Sequence, residues 1–209
     1  MRLMVFEYFN TTKLSPEEIM RPRLDQLWAY RVSGMVRDVF RLAEGRGVVY
    51  MLETAGLDEA REIIGSLILN TGLPSTFEFY ILNEYRGWQR LFHCDDKEVK
   101  DRLNSPLPIL SNGPKQFVLG IARFNENFTG EAYARLAKEQ SIAAWRLYMS
   151  GVLTEISAIP APLGVYVKLL VKDVEEAKEY FKVFPFDEAG MITWTFFQIQ
   201  PFDFWIMLM

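Results

Sequence analysis

Arg37 and Arg41 are the pair of side chains whose spacing points most directly to chemistry. Val36–Leu42 reads as a strand, and residues four apart on a strand leave the same face of a sheet. Two guanidinium groups on one face clamp a substrate carboxylate in bidentate fashion. The positions 117 residues further on are Thr154 and Ala158, so the pair occurs once in the chain. The competing reading is a solvated face, or pairing with Asp38, Glu44 or Glu53. Proton transfer near neutral pH also needs an acid or base of matched pKa. The one histidine, His93, lies outside any recognisable motif, so a carboxylate raised by burial is the better candidate. Glu78, flanked by Phe77 and Phe79, and Glu53 are the residues expected to move the proton. Their positions 117 residues on are Thr195 and Leu170. Glu7 shares its strand face with Leu3 and Val5. Tyr8, Tyr50 and Tyr80 are placed to line a pocket and donate hydrogen bonds, or simply to fill core. In the second half the strand-borne charges are Arg123, Glu155 and Lys168. Lys168 shares a face with Tyr166 and Leu170, against the plainer reading of an edge or solvent-facing lysine.

Other chemistries find little support. His93-Cys94-Asp95-Asp96 gathers four possible metal ligands, but adjacent residues cannot all point at one ion, and no partner cluster has ligand spacing. No metal is therefore expected. A haem would want a proximal histidine or cysteine, which His93 supplies only if its segment folds back over a pocket. Gly45-Arg46-Gly47 reads as a hairpin turn, too short for a nucleotide fingerprint. No nucleophile elbow or triad can be assembled.

The elements that must position these residues come in two similar sets. Trp28 and Trp145 stand 117 residues apart, as do Ser33-Gly34 and Ser150-Gly151, Gly47-Val48 and Gly164-Val165, Glu59-Ala60 and Glu176-Ala177, Phe79 and Phe196, and Trp88 and Trp205. The first strand of each set fits better at 115, pairing Phe9-Asn10 with Phe124-Asn125. In the first half, strand Leu3–Phe9 precedes a helix opened by Ser15-Pro16-Glu17-Glu18 and closed by Gly34. Strands Val36–Leu42 and Val48–Glu53, helix Leu57–Leu67 and strand Thr76–Leu82 follow. The second half repeats the order through Phe117–Phe124, Glu131–Ser150, Leu153–Ile159, Val165–Val171, Val174–Phe184 and Thr193–Ile199. The fold class is α+β: two ferredoxin-like β-α-β-β-α-β modules, residues 1–92 and 117–209, joined by a connector, 93–116. Two such sheets face to face or wrapped into a barrel bury both faces, so an intramolecular pseudo-dimer is expected, with room for further self-association. Trp88 and Trp205, just past each last strand, either clamp the opposite module or pack on their own.

Half of the residues are apolar, ample for a core. A formal charge of −4 without a basic stripe argues against a nucleic-acid partner. A single cysteine, no leader-like start and no apolar run of spanning length place the chain, by expectation, in the cytoplasm and off the membrane.

Leu57-Asp58-Glu59-Ala60 running to Leu67-Ile68-Leu69, and Val174-Glu175-Glu176-Ala177 running to Phe184-Pro185-Phe186, resemble a recurring helix-and-corner motif. It is that of the muconolactone isomerase-like branch of the dimeric α+β barrel superfamily. The first copy departs from the motif's proline at Ile68. Phe40-Arg41-Leu42-Ala43-Glu44-Gly45 is similar to the turn that follows the family's second strand. The resemblance implies an enzyme that moves a proton within an unsaturated lactone acid without metal or organic cofactor. Neighbouring branches include cofactor-independent oxygenases of polycyclic phenols, haem-handling proteins and modules without an assigned reaction. The expected function is thus a cofactor-independent isomerase or lyase acting on an apolar, carboxylated or lactone-like small molecule. The alternatives are an oxygenase of aromatic polyketide-like substrates and a non-catalytic ligand-binding or scaffold module.

Overall fold

The computed structural model describes residues 1–11, 14–43, 47–69, 72–92, 95–203 and 206. Glu44, the Gly45-Arg46 turn, His93, Cys94 and Trp205 lie outside the described residues. By contacts the chain divides into two units: Met1–Asn83 with Ile199–Met209, and Glu84–Gln198.

The first unit contains β1 (Arg2–Phe9), α1 (Pro16–Met20), α2 (Leu24–Val32), β2 (Val36–Leu42), β3 (Gly47–Glu53), α3 (Leu57–Leu69) and β4 (Ser75–Glu84). Its strands lie antiparallel in the order β4-β1-β3-β2. Beyond β2, Ile199–Pro201 add three further pairs, and Phe202 N–H donates to Val39 O at 2.9 Å. α1 begins as its residues dictate: the Ser15 hydroxyl accepts from Glu18 N–H, Glu18 reaches back to Ser15 N–H, and Pro16 takes the first helical position. The long helix expected over 15–34 is interrupted by a 3-10 turn at Arg21–Arg23. Pro22 is the physical cause, because it lacks an N–H and its ring crowds the carbonyl one turn back. Gly34 ends α2 at φ 80°, in the left-handed region that favours glycine.

The second unit contains α4 (Gln89–Phe92), α5 (Lys97–Leu103), β5 (Gln116–Phe124), α6 (Gly130–Met149), β6 (Leu153–Pro160), β7 (Leu163–Val171), α7 (Val174–Phe181), α8 (Pro185–Glu188) and β8 (Ile192–Pro201). The strand order is β8-β5-β7-β6. Residues 84–92 and 95–103, read from the sequence as a tail and part of a connector, pack on α6. Leu91, Val99 and Ile142 form a small core with Trp88, Leu103 and Trp145 beside it. Trp88 meets Trp145 edge-on at 5.4 Å and Tyr148 at 5.1 Å, so it packs on a helix that follows it in sequence rather than on the helices before it.

The two sheets share their register. Leu3 faces Leu52 as Val118 faces Leu169, in keeping with offsets of 115 for the first strand and 117 for the third. A β-bulge between Val36 and Asp38 recurs between Leu153 and Glu155. A Cβ at Gly47 would lie 2.2 Å from the Glu7 carbonyl oxygen, and one at Gly164 would lie 2.1 Å from that of Ala122. Both strands therefore carry a glycine at this point because the neighbouring backbone leaves no room for a side chain. Among the described residues no helix is long and apolar enough to cross a membrane.

Candidate functional site

In the first unit, Leu3, Val5, Val48, Tyr50 and Leu52 face the helices and join Ile19, Met20, Leu27, Ile63 and Ile64 in one core. Glu7 belongs to this apolar face, as its alternation with Leu3 and Val5 requires. Its side chain is buried in full, and so is that of Arg23. Arg23 Nη1 donates to Glu7 Oε2 at 2.6 Å and to the Tyr50 hydroxyl at 3.1 Å, while Tyr50 donates to the same Oε2 at 2.7 Å. Ser75 donates to Oε1 at 2.8 Å. Burial and the neighbouring Glu7 charge push the Tyr50 phenol well above its ordinary pKa. Burial disfavours the Arg23 cation, but Tyr50 and Glu7 more than offset this and raise its pKa. The network is buried throughout. Its chemistry is that of a fixed buried charge pair, with no face open to a substrate.

The expected clamp does not form. The bulge after Val36 breaks the alternation between Arg37 and Arg41, so spacing by four no longer means a shared face. Arg37 pairs with Asp38 at 3.5 Å, one of the partners the sequence offered. Arg41 stands opposite Val48, bonds the Glu17 carboxylate and lies over the Phe202 ring at 5.7 Å. Glu53, with its side chain 42% exposed, pairs with Arg2 at 3.0 Å. Glu78 is exposed and accepts from the Tyr80 hydroxyl at 2.6 Å. Tyr80 and Tyr8 both pack on Phe6, each at 5.8 Å between centroids, on the sheet face turned away from the helices. The structure thus brings together Glu78, Tyr80 and Tyr8, and separates them from Tyr50, which faces the helices.

The second unit places its charges differently. Val118, Val167, Leu169 and Val171 face the helices, with Leu147, Ala177, Phe181 and Phe184. Tyr166, Lys168 and Glu155 lie on the opposite face. Lys168 Nζ is 3.0 Å from Glu155 Oε2, with side chains only 15% and 19% exposed. The Tyr166 hydroxyl donates to the same Oε2 at 3.0 Å, and the ammonium stands over the Phe117 ring at 5.6 Å. The bulge sets this arrangement: Thr154 turns its hydroxyl to the Lys168 carbonyl at 2.9 Å, and Glu155 falls directly opposite Lys168. Cation, carboxylate, phenol and ring therefore share one half-buried face, the minimum set for holding an anion beside a proton carrier.

One further carboxylate carries no sequence signal at all. Asp187, on the short helix α8, accepts from the Trp194 indole N–H at 2.9 Å, and its other oxygen is buried without a hydrogen-bond partner. Burial raises its pKa to about 6, against the lowering effect of the Trp194 bond. Only the three-dimensional fold, which stacks Trp194 on Phe181 and Phe196, reveals it. Among the described residues no group of His, Cys, Asp or Glu side chains is arranged to hold a metal ion.

No family model matches the chain, and no curated protein does. Among solved structures it is similar to chlorite dismutase from Candidatus Nitrospira defluvii. In complex with imidazole, that protein aligns with a TM-score of 0.64 and 11% identity over 99% of this chain and 93% of its own. A mutant of the same enzyme in complex with cyanide aligns with a TM-score of 0.61 and 10% identity over 96% of this chain and 91% of its own. At such identity the likeness speaks for the fold alone, an α+β architecture.

Proposed function

We propose that the chain is a small-molecule enzyme of isomerase or lyase type, acting on an apolar carboxylated or lactone-like substrate, with its site on the helix-free face of the second unit. The observation that supports this is the convergence of Lys168, Tyr166 and Phe117 on Glu155. Lys168 anchors the substrate carboxylate, and Phe117 packs against its apolar body. A substrate anion that takes the ammonium leaves Glu155 without its counter-ion. A carboxylate so placed holds a proton more readily and serves as the base. Tyr166, already donating to Glu155, turns its hydroxyl to the oxygen on which charge develops. The duplication of a ferredoxin-like module is part of the same reading.

Chlorite dismutases are haem enzymes. In this chain the one histidine and the one cysteine, His93 and Cys94, lie outside the described residues. The Tyr50 and Tyr166 hydroxyls are committed to Glu7 and Glu155. The space between sheet and helices in the second unit is also filled: a Cβ at Gly120 would meet Phe196 and Val167 at 2.9 Å.

Thermal unfolding against a panel of aromatic acids, lactones and polycyclic phenols tests the proposal. A ligand at 100 times its Kd should add about 2.7 kcal/mol. An acid or lactone should give this shift in the parent protein and lose it in Lys168→Gln. A shift that survives both Lys168→Gln and Glu155→Gln removes this face from consideration. Oxygen uptake with a phenol would replace the isomerase by an oxygenase.

A further inference from the structure

The segment between the repeats has no counterpart in the duplication, yet it builds a groove. The groove is open, about 680 Å³, and lined by Lys97, Glu98, Asp101 and Arg102 of α5, Ser105 beyond it, and Arg146 of α6. α5 is held in place by Val99 and Leu103 packing beside Ile142 and Trp145. The three cations of the groove differ in what they have left to offer. Arg102 gives both terminal nitrogens to Glu139, at 3.3 and 2.6 Å, and is spent. Arg146 gives its Nε to the Ser105 carbonyl at 2.6 Å, which fixes the guanidinium plane while its two terminal nitrogens bond no described residue. Lys97 forms no ion pair with a described residue. In the first unit Ala29 stands where Arg146 would fall, so this arrangement is peculiar to the second.

We propose that this groove binds a phosphorylated polyol. A fixed guanidinium fork and a separate ammonium suit a tetrahedral oxyanion, which takes two parallel N–H···O bonds from the first and a point charge from the second. Glu98 and Asp101, interleaved with Lys97 and Arg102 on α5, are acceptors for the hydroxyl groups of such a molecule, and they repel a second anion. The volume lies in the range of small-molecule sites, roughly 300–1,000 Å³. Because the groove is open, salt screens it, and affinity falls as ionic strength rises. The site is independent of the proposed enzymatic face.

The test is calorimetric titration of the whole chain at low ionic strength with glycerol phosphate, inorganic phosphate and sodium chloride. Glycerol phosphate is expected to bind at least about tenfold more tightly than inorganic phosphate, with chloride giving no saturable heat. Lys97→Gln, at an exposed position outside the packing of α5, should weaken both phosphates about tenfold, as should Arg146→Gln. Asp101→Asn should weaken glycerol phosphate alone. Phosphate heats matched by chloride, or unchanged in both Lys97→Gln and Arg146→Gln, would overturn the proposal. So would equal affinity for the two phosphates, which leaves an anion patch without a polyol site.

Discussion

The two units pair their strands on the same register, and they part company in the space between the sheet and the helix that follows its first strand. In the first unit Pro22 breaks that helix, and the 3-10 turn it forces delivers Arg23 to Glu7 and Tyr50. In the second, α6 runs unbroken for 20 residues, with Glu139 and Gln140 where Pro22 and Arg23 would fall. Ala122 and Val167 replace Glu7 and Tyr50 there. Positions 115 or 117 residues apart thus carry an ionic interior in the first unit and an apolar one in the second. The lesson concerns cost. Withdrawing two charges from water costs several kcal/mol per ion, and only close geometry with every lone pair occupied offsets it. The Glu7 carboxylate comes close to that condition, with two donors on one oxygen and one on the other.

The sharpest way to break the comparison is to remove one partner. Arg23→Ala should destabilise the protein by about 3–5 kcal/mol in denaturant unfolding, because Glu7 is left charged in a sealed core. A loss below about 1 kcal/mol would mean that water already reaches the pair. In the second unit the large effect belongs to an aromatic contact. Trp88→Ala should cost about 2–4 kcal/mol, whereas Trp28→Ala, at the matching helix position to Trp145 and 45% exposed, should cost under about 1 kcal/mol. Equal losses would show that both tryptophans are covered alike. Converting the first interior to the apolar type, with Glu7→Met, Arg23→Met and Tyr50→Phe together, should leave stability within about 1–2 kcal/mol of the parent or above it. A collapse of the triple variant would show that the network defines the packing rather than being accommodated by it.

The smallest effect is one of pH. Asp187 holds its proton in the folded chain up to a pH of about 6, against 3.8 for the free side chain. The folded state therefore binds more protons than the unfolded one between those values, and stability from this residue declines as pH rises through them. Asp187→Asn, which keeps an acceptor for Trp194, should flatten that decline and gain stability relative to the parent at pH 7. Parallel melting curves for the two proteins from pH 4 to 7 would count against the assignment.

Much of the fold was legible because its signals are local. Ser15-Pro16 marks a helix start and Gly34 a left-handed end, whereas β1 and β3 are buried on both faces, so their sequence does not say which face meets the helices. What escaped was non-local or lay off the regular period. The bulge at Arg37 shifts one residue and undoes an inference built on spacing by four. Pro22 was visible in sequence, yet its effect on Arg23 depends on where Glu7 and Tyr50 lie. Lys168 and Glu155 were noted separately, but their meeting requires the pairing of β6 with β7. Asp187 has no motif; its burial is a product of α8 folding over Trp194.

The pairing of Ile199–Pro201 with β2 makes the first unit discontinuous in the chain, since its other strands all precede residue 84. During synthesis the second unit is a single uninterrupted stretch and has all its parts once Gln198 has left the ribosome. The first unit is begun earlier but lacks the backbone partners of Phe40, Arg41 and Leu42, and the Phe202 side chain in its core, until the residues after 198 arrive. The unit that is begun first is therefore the one whose residues are completed last.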